Sequence, residues 1–207
     1  MKLYIGKTLM TNPRRVTIYL AEKGLSVETV ALDMRGGEGR SPAFLQKSPA
    51  GTVPVLELDD GTFLPESAAI VEYLEERFPT PTMLGETPQE RAQVRATERM
   101  ATDFAGRNGL MMAHTHPFLP KVRPGFVQYP DVAKALEGAR DFLLQALEAR
   151  IGDREFLAGD VPTVADCTFF AQVDTTYALF DYRLPPHYPR LLAWYDRFSR
   201  RPSAQRS

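Results

Sequence analysis

Short apolar runs open the chain, and apolar positions at helical spacing dominate the remainder. Lys2 to Ile5 reads as a strand and Val27 to Leu32 as a second, with Val16, Ile18, Tyr19 and Leu20 marking the buried face of a helix between them. That helix is expected from Pro13 to Lys23, with Asn12 as its cap, Pro13 at its first position and Gly24 as its stop. A strand, helix and strand joined by so short a crossover predict a parallel pair. Ser41-Pro42 begins a short helical stretch through Gln46. Val53 and Leu56 to Leu58 then supply strand material, Asp59-Asp60-Gly61 a hairpin turn, and Phe63-Leu64 the return strand. Glu66-Ser67 opens an apolar helical run through Ile70, Val71, Leu74 and Phe78.

The prolines and glycine of FPTPTMLGETPQE, from Phe78 to Glu90, mark a linker. The spacing therefore predicts a first domain over 1–79, a linker over 80–88 and a second domain over 89–207. In the second domain Gln89 to Phe104 and Val132 to Ile151 have helical spacing, and Ala133, Leu136, Leu143, Leu147 and Ile151 form one stripe. Thr163 followed by Asp166 is a capping box with aspartate in the usual Glu or Gln place. The helix it opens, VADCTFFAQV from Val164 to Val173, is apolar all round and predicts a central core helix with Cys167 buried in it. Trp194, Tyr195 and Phe198 close a last helix before the polar tail RRPSAQRS. An α/β domain followed by an all-α domain is the fold class these patterns predict.

Composition narrows the functions. A net charge of −1 with both signs spread along 207 residues gives no basic footprint for nucleic acid and no polybasic membrane anchor. Lys7 interrupts the first ten residues, so they lack the apolar core of a signal peptide, and no apolar run reaches the ~18 to 20 residues of a membrane span. One cysteine excludes an intrachain disulfide framework, and a cytoplasmic location is expected. His114, His116 and His187 have no further Cys, His or carboxylate at ligand spacing, so no metal is expected. Gly36-Gly37-Glu38-Gly39 follows no strand-to-helix turn and carries an acid in its middle, which predicts a flexible loop rather than a phosphate cradle.

The candidate chemistry lies between Ser48 and Ser67. Pro54 has no N–H for a ladder, and a cis Val53-Pro54 bond would reconcile it with the strand. The N–H and C=O of Val53 would then be free to pair with an extended peptide laid antiparallel beside them. The first N–H groups of the helix at Ser67 face outward and suit a carboxylate. Together these features make a site for a short acidic peptide.

SPAGTVPVL from Ser48 to Leu56, followed by Glu66-Ser67, resembles the glutathione-binding half of the cytosolic glutathione transferases; an Asn-Pro commonly stands where this chain has Ser48-Pro49. The resemblance implies a thioredoxin-like first domain and an all-helical second domain. It also implies glutathione as co-substrate, without a metal. The backbone of Val53 and Pro54, with Thr52 beside it, would pair with the cysteinyl part, and Glu66 and Ser67 would hold the γ-glutamyl end. Arg35 or Arg40 is a candidate for the glycyl carboxylate, because a guanidinium suits that geometry.

In the resembling family a Tyr, Ser or Cys just after the first strand activates the thiol. Here Met10 falls at that place and cannot donate. Thr11 is the expected donor and Asn12 the second, both where a helix dipole favours a thiolate. Tyr4 is read as core. No cysteine stands at this turn, so reduction through a mixed disulfide is not indicated. Met111, Met112, His114 and Phe118, within NGLMMAHTHPF, form an adaptable apolar surface. The resemblance makes them, with Met10, the electrophile pocket, and it matches Asp103 to a place from which some relatives reach the glutathione of a dimer partner. The reading is a homodimeric transferase joining the glutathione thiolate to small apolar electrophiles. The alternative is a non-catalytic glutathione-binding or protein-interaction module on the same fold; an isomerase or dehalogenase would share the same site.

Overall fold

β1 (Lys2–Gly6) is central to a four-stranded sheet of order β2-β1-β3-β4. It pairs in parallel with β2 (Glu28–Leu32), Leu3 opposite Thr29, and antiparallel with β3 (Val55–Glu57), Leu3 opposite Leu56. β4 (Phe63–Pro65) completes a hairpin with β3, closed by the Leu58 N–H to Thr62 O bond of 2.8 Å and by Gly61 at φ +85°. The structure, a computed structural model, describes residues 1–123 and 125–205. It comprises one unit of Met1–Met83 joined by the chain from Pro202, and a second of Leu84–Arg201.

In the first unit α1 (Thr11–Glu22) is the crossover between β1 and β2, α2 (Pro42–Leu45) follows β2, and α3 (Ser67–Arg77) follows β4. This β-α-β, β-β-α order is the thioredoxin-like arrangement. Leu3, Val16, Tyr19, Leu56, Ile70 and Leu74 form its fully buried interior. α1 departs from the sequence reading. It begins at Thr11, with extended Met10 (φ −143°, ψ 137°) as its cap residue and no capping side chain, so Asn12 is inside the first turn rather than the cap. Proline is tolerated throughout the first turn, where N–H groups are unpaired anyway, so Pro13 did not mark the first position.

The loop at Arg35 is also more ordered than its glycines suggested. Asp33 accepts the Gly36 N–H at 2.8 Å through Oδ1, and Glu38 Oε2 accepts the Asp33 N–H at 2.6 Å. A single 3-10 turn, Glu38–Arg40, then leads into α2. The tail RRPSAQRS is likewise more than polar: Pro202–Ala204 is a 3-10 turn with Ala204 buried, held by Arg14 Nη2 donating to Ala204 O at 2.6 Å.

The second unit is helical: α4 (Pro88–Thr115), α5 (Phe118–Val122), α6 (Pro130–Ile151), α7 (Val164–Phe180) and α8 (Pro189–Ser199). α7 is buried on every side from Val164 to Thr176, as its uniform apolarity predicted. Asp166 anchors it. This fully buried carboxylate accepts from Thr163 N–H (2.9 Å), Thr163 Oγ1 (2.8 Å), Leu157 N–H (2.9 Å) and Trp194 Nε1 (2.8 Å). The anticipated capping box therefore also fastens the preceding loop and α8. Phe169, Phe170, Trp194 and Phe198 pack around it, and Cys167 is buried beside them.

Candidate functional site

The start of α1 offers two backbone donors. Arg14 N–H closes the first intrahelical bond, to Met10 O at 3.1 Å, and Pro13 has no N–H, which leaves the N–H groups of Thr11 and Asn12. Among the described residues nothing accepts from either of them, and nothing bonds the Thr11 hydroxyl or the Asn12 amide. Thr11 is half-buried and Asn12 exposed. Unpaired donors at the positive end of a helix stabilise an anion, and a thiolate is such an anion.

Val53 supplies the second element. Its side chain is buried with Phe44 and Val55, with Met10 and Tyr4 packed against the cluster, so its backbone is fixed from behind. The Val53-Pro54 peptide is cis, as anticipated, and among the described residues neither the N–H nor the C=O of Val53 is hydrogen-bonded. Thr52 is held by its N–H to Ser48 Oγ at 3.2 Å. Gly51, at φ +64°, lies against the opposite loop so closely that a Cβ there would meet Gly39 O at 2.4 Å. Only glycine fits both the backbone conformation and the space.

The third element is the start of α3. Glu66 is its cap residue at φ 71°, ψ 115°, a conformation unfavourable for a side-chain-bearing residue, and strain of this kind collects at binding sites. The first intrahelical bond is Ile70 N–H to Glu66 O at 3.0 Å, so the N–H groups of Ser67, Ala68 and Ala69 precede the ladder. Ser67 is buried, and its Oγ lies 3.5 Å from Arg15 Nη1. The sequence reading missed Arg15. Its position one turn into α1, beside Val16 on the buried face, was the available signal, because a buried guanidinium is retained only with acceptors to meet. Through Arg15 and Ser67 the two helix starts are joined, and through Met10 and Val53 the turn before α1 is joined to the free backbone edge.

The other predicted residues take different places. Arg35 is exposed on its loop. Tyr4 directs its hydroxyl to Glu57 Oε2 at 2.5 Å, and that bond is the first cause holding its pKa above the ordinary value. Met111, Met112 and His114 stand on α4, Met111 buried, and Phe118 opens α5 with an edge contact to Phe180. His114 is packed within its own unit, stacking on Phe126 and accepting the Tyr129 N–H at 3.2 Å through Nδ1. Asp103 lies 2.9 Å from Arg99 Nη2 and 3.9 Å from Arg107 Nη1, so an ammonium from elsewhere would compete with both arginines. Among the described residues no group of His, Cys, Asp and Glu could hold a metal ion, and no helix is long and apolar enough to cross a membrane.

A groove of about 510 Å³ opens beside the turn at Met10, between the β1–α1 loop, the flank of α1 and the 3-10 turn at Pro202. Of the predicted electrophile residues it includes Met10; Lys7 and Arg14 also line it.

Residues 11–82 match the family Glutathione S-transferase, N-terminal domain, and residues 110–202 match Glutathione S-transferase, C-terminal domain. The chain is 35% identical over 203 residues to Glutathione S-transferase 2 of Saccharomyces cerevisiae, spanning 94% of this chain and 84% of that protein. It is 35% identical over 175 residues to Maleylacetoacetate isomerase of Pseudomonas aeruginosa, spanning 84% of this chain and 80% of that protein. Its fold is similar to that of a glutathione S-transferase domain-containing protein of Marinobacter aquaeolei VT8, with a TM-score of 0.87 at 37% identity over 99% of this chain and 100% of that one. It is also similar to Gtt2 from Saccharomyces cerevisiae, with a TM-score of 0.85 at 33% identity over 99% and 98% of the two chains. With a thioredoxin-like unit, a helical unit and these matches along nearly its whole length, the chain is a transferase of the cytosolic glutathione S-transferase family.

Proposed function

We propose that the protein binds glutathione on its first unit, ionises the thiol at the start of α1 and joins the sulfur to a small electrophile. One observation carries this reading: two helix starts with unpaired N–H groups, at Thr11 and Ser67, accompany a backbone edge at Val53 whose N–H and C=O are both free among the described residues. Glutathione matches that set. Its γ-glutamyl carboxylate goes to the α3 start with Glu66 and Ser67, its cysteinyl backbone pairs with Val53, and its sulfur comes to Thr11, with Asn12 second. Thr52 and Pro54 shape the edge, and Arg35 takes the glycyl carboxylate. Met10, at the turn before Thr11, would meet an apolar electrophile.

Bound there, the thiol loses its proton to solvent and the thiolate is held by the Thr11 hydroxyl, the N–H groups of the first turn and the α1 dipole. With 1-chloro-2,4-dinitrobenzene a carbon–sulfur bond forms and chloride leaves with its electron pair. A homodimeric, cytoplasmic detoxifying enzyme is the setting this reading implies; the single buried Cys167 suits a reducing compartment.

The test is conjugation of that substrate by wild type and by Thr11→Ala. The wild type should accelerate the reaction, and the variant should lose about a hundredfold in kcat with little change in the KM for glutathione. An unchanged variant would pass activation to the backbone donors alone. Glutathione binding by a wild type that conjugates nothing would make the protein a non-catalytic holder.

A further inference from the structure

The backbone edge at Val53 rests on the face of the sheet that α2 covers, and an ammonium closes the rim of that packing. Tyr4 lies opposite Val55 and Glu57 opposite Phe63, so these four side chains share one face. Phe44 of α2, Val53 and Val55 form the buried cluster there, with Tyr4 and Phe63 packed against it. Lys47, just past α2, brings its Nζ to 4.0 Å from the centre of the Phe63 ring, 5.1 Å from that of Tyr4 and 3.5 Å from Glu57 Oε2. The same carboxylate oxygen accepts the Tyr4 hydroxyl at 2.5 Å. That bond first, with the charge of Lys47 acting in the same direction, keeps the Glu57 carboxyl below its ordinary value. Two aromatic faces and a carboxylate are the chemistry that recognises an ammonium, and here the same chain supplies it. The Lys47 and Glu57 side chains are only 26% and 24% exposed, so the contact is partly withdrawn from water, where such attractions are stronger.

Backbone bonds run from Lys47 to the edge. Phe44 O accepts the N–H groups of both Lys47 and Ser48 at 2.9 Å, and Ser48 O accepts the Gly51 N–H at 2.8 Å. Ser48 Oγ accepts the Thr52 N–H at 3.2 Å. Ser48 is fully buried, so a shift of Lys47 passes along the chain to Thr52 and Val53. We infer that Lys47 is a positioning residue for glutathione: caged by Phe63, Tyr4 and Glu57, it fixes the end of α2 and, through Ser48 and Thr52, the N–H and C=O that Val53 offers. The inference rests on the glutathione reading above and adds a residue that acts through Val53 rather than on the ligand itself. Its effect belongs to binding, because Thr11 and the start of α1 stand on another element.

The experiment uses the full chain, glutathione and 1-chloro-2,4-dinitrobenzene, with Lys47→Met, Glu57→Gln and the double variant. Lys47→Met keeps the apolar stem and removes the cation; Glu57→Gln keeps an acceptor for Tyr4 and removes the charge. Each should raise the KM for glutathione and its calorimetric dissociation constant about fivefold, with kcat changed less than about twofold. The double variant should be no weaker than either single one, because both break the same cage. Amide hydrogen exchange at Thr52 should quicken in Lys47→Met while that of α7 stays as in wild type, which a general loss of stability would not produce. Wild-type affinity in either single variant, a fall in kcat with KM unchanged, effects that multiply in the double variant, or unaltered exchange at Thr52 would overturn the inference and leave the transferase reading in place. A wild type that binds no glutathione would overturn both.

Discussion

Lys23 Nζ lies 2.9 Å from Glu75 Oε1, with the two side chains at 0% and 4% exposure. The pair ties the end of α1 to α3, and its remaining capacity is used nearby. Lys23 also donates to the carbonyls of Phe78 and Pro81, while Glu75 accepts from Tyr19 Oη at 2.7 Å and Met83 N–H at 3.1 Å. Removing one partner strands the other charge without solvent. Lys23→Met should therefore cost about 3 to 5 kcal/mol, and Lys23→Met with Glu75→Leu should cost clearly less than the two single changes added together. Urea unfolding of the three variants checks this; a Lys23→Met protein as stable as wild type would mean the pair contributes nothing.

Glu66 trades stability against binding. At φ 71° a glycine is relieved of the Cβ penalty, so Glu66→Gly should hold or raise the melting temperature while weakening glutathione binding. Ser67→Ala removes a hydroxyl at the same helix start and should weaken binding by about tenfold, with a smaller effect on stability. Calorimetric titration with glutathione, run alongside thermal unfolding, separates the two effects. Undiminished affinity in both variants would remove the γ-glutamyl end from this position.

Tyr188 gives the helical unit a signature at high pH. Burial first, and then its hydrogen bond to Asp141 Oδ1 at 2.7 Å, push its hydroxyl up to about 12 from the ordinary value of about 10. The folded state keeps this proton when the unfolded chain has lost it. Tyr188 thus contributes stability that is complete below about pH 10 and lost as the pH rises toward about 12. Denaturant unfolding at about pH 9 and about pH 11.5 should show a drop that is smaller in Tyr188→Phe. An equal drop in both proteins would assign the loss to other groups.

Much of the fold was legible because the patterns that specify it are local. The hairpin at Asp59-Asp60-Gly61, the box of Thr163 and Asp166 and the apolar α7 each declare themselves within a few residues. The cis Val53-Pro54 bond and the start of α3 at Ser67 were legible for the same reason, since a proline after a strand start and a helix opening after a hairpin lie close together in the chain. Features that depend on distant partners were not. Asn12 has the chemistry of a cap, but helical backbone already begins at Thr11. The tail is polar in composition, yet Ala204 is buried through Arg14, 190 positions away. The glycines near Arg35 look flexible until Gly39 meets Gly51. Arg15 stands beside Val16 on the buried face of α1, which marks it as needing acceptors, but nothing near it in the chain names Ser67, 52 positions away, as the residue it approaches.

The central claim is that the start of α1 makes a thiolate of bound glutathione, and the most direct measurement is a pH titration of that thiol by ultraviolet difference absorbance. Thr11, Asn12 and the α1 dipole should lower its pKa by about two units from the free peptide's value, and Thr11→Ala should return part of the shift. A bound thiol that ionises where the free one does would contradict the account, leaving a protein that holds glutathione without activating it.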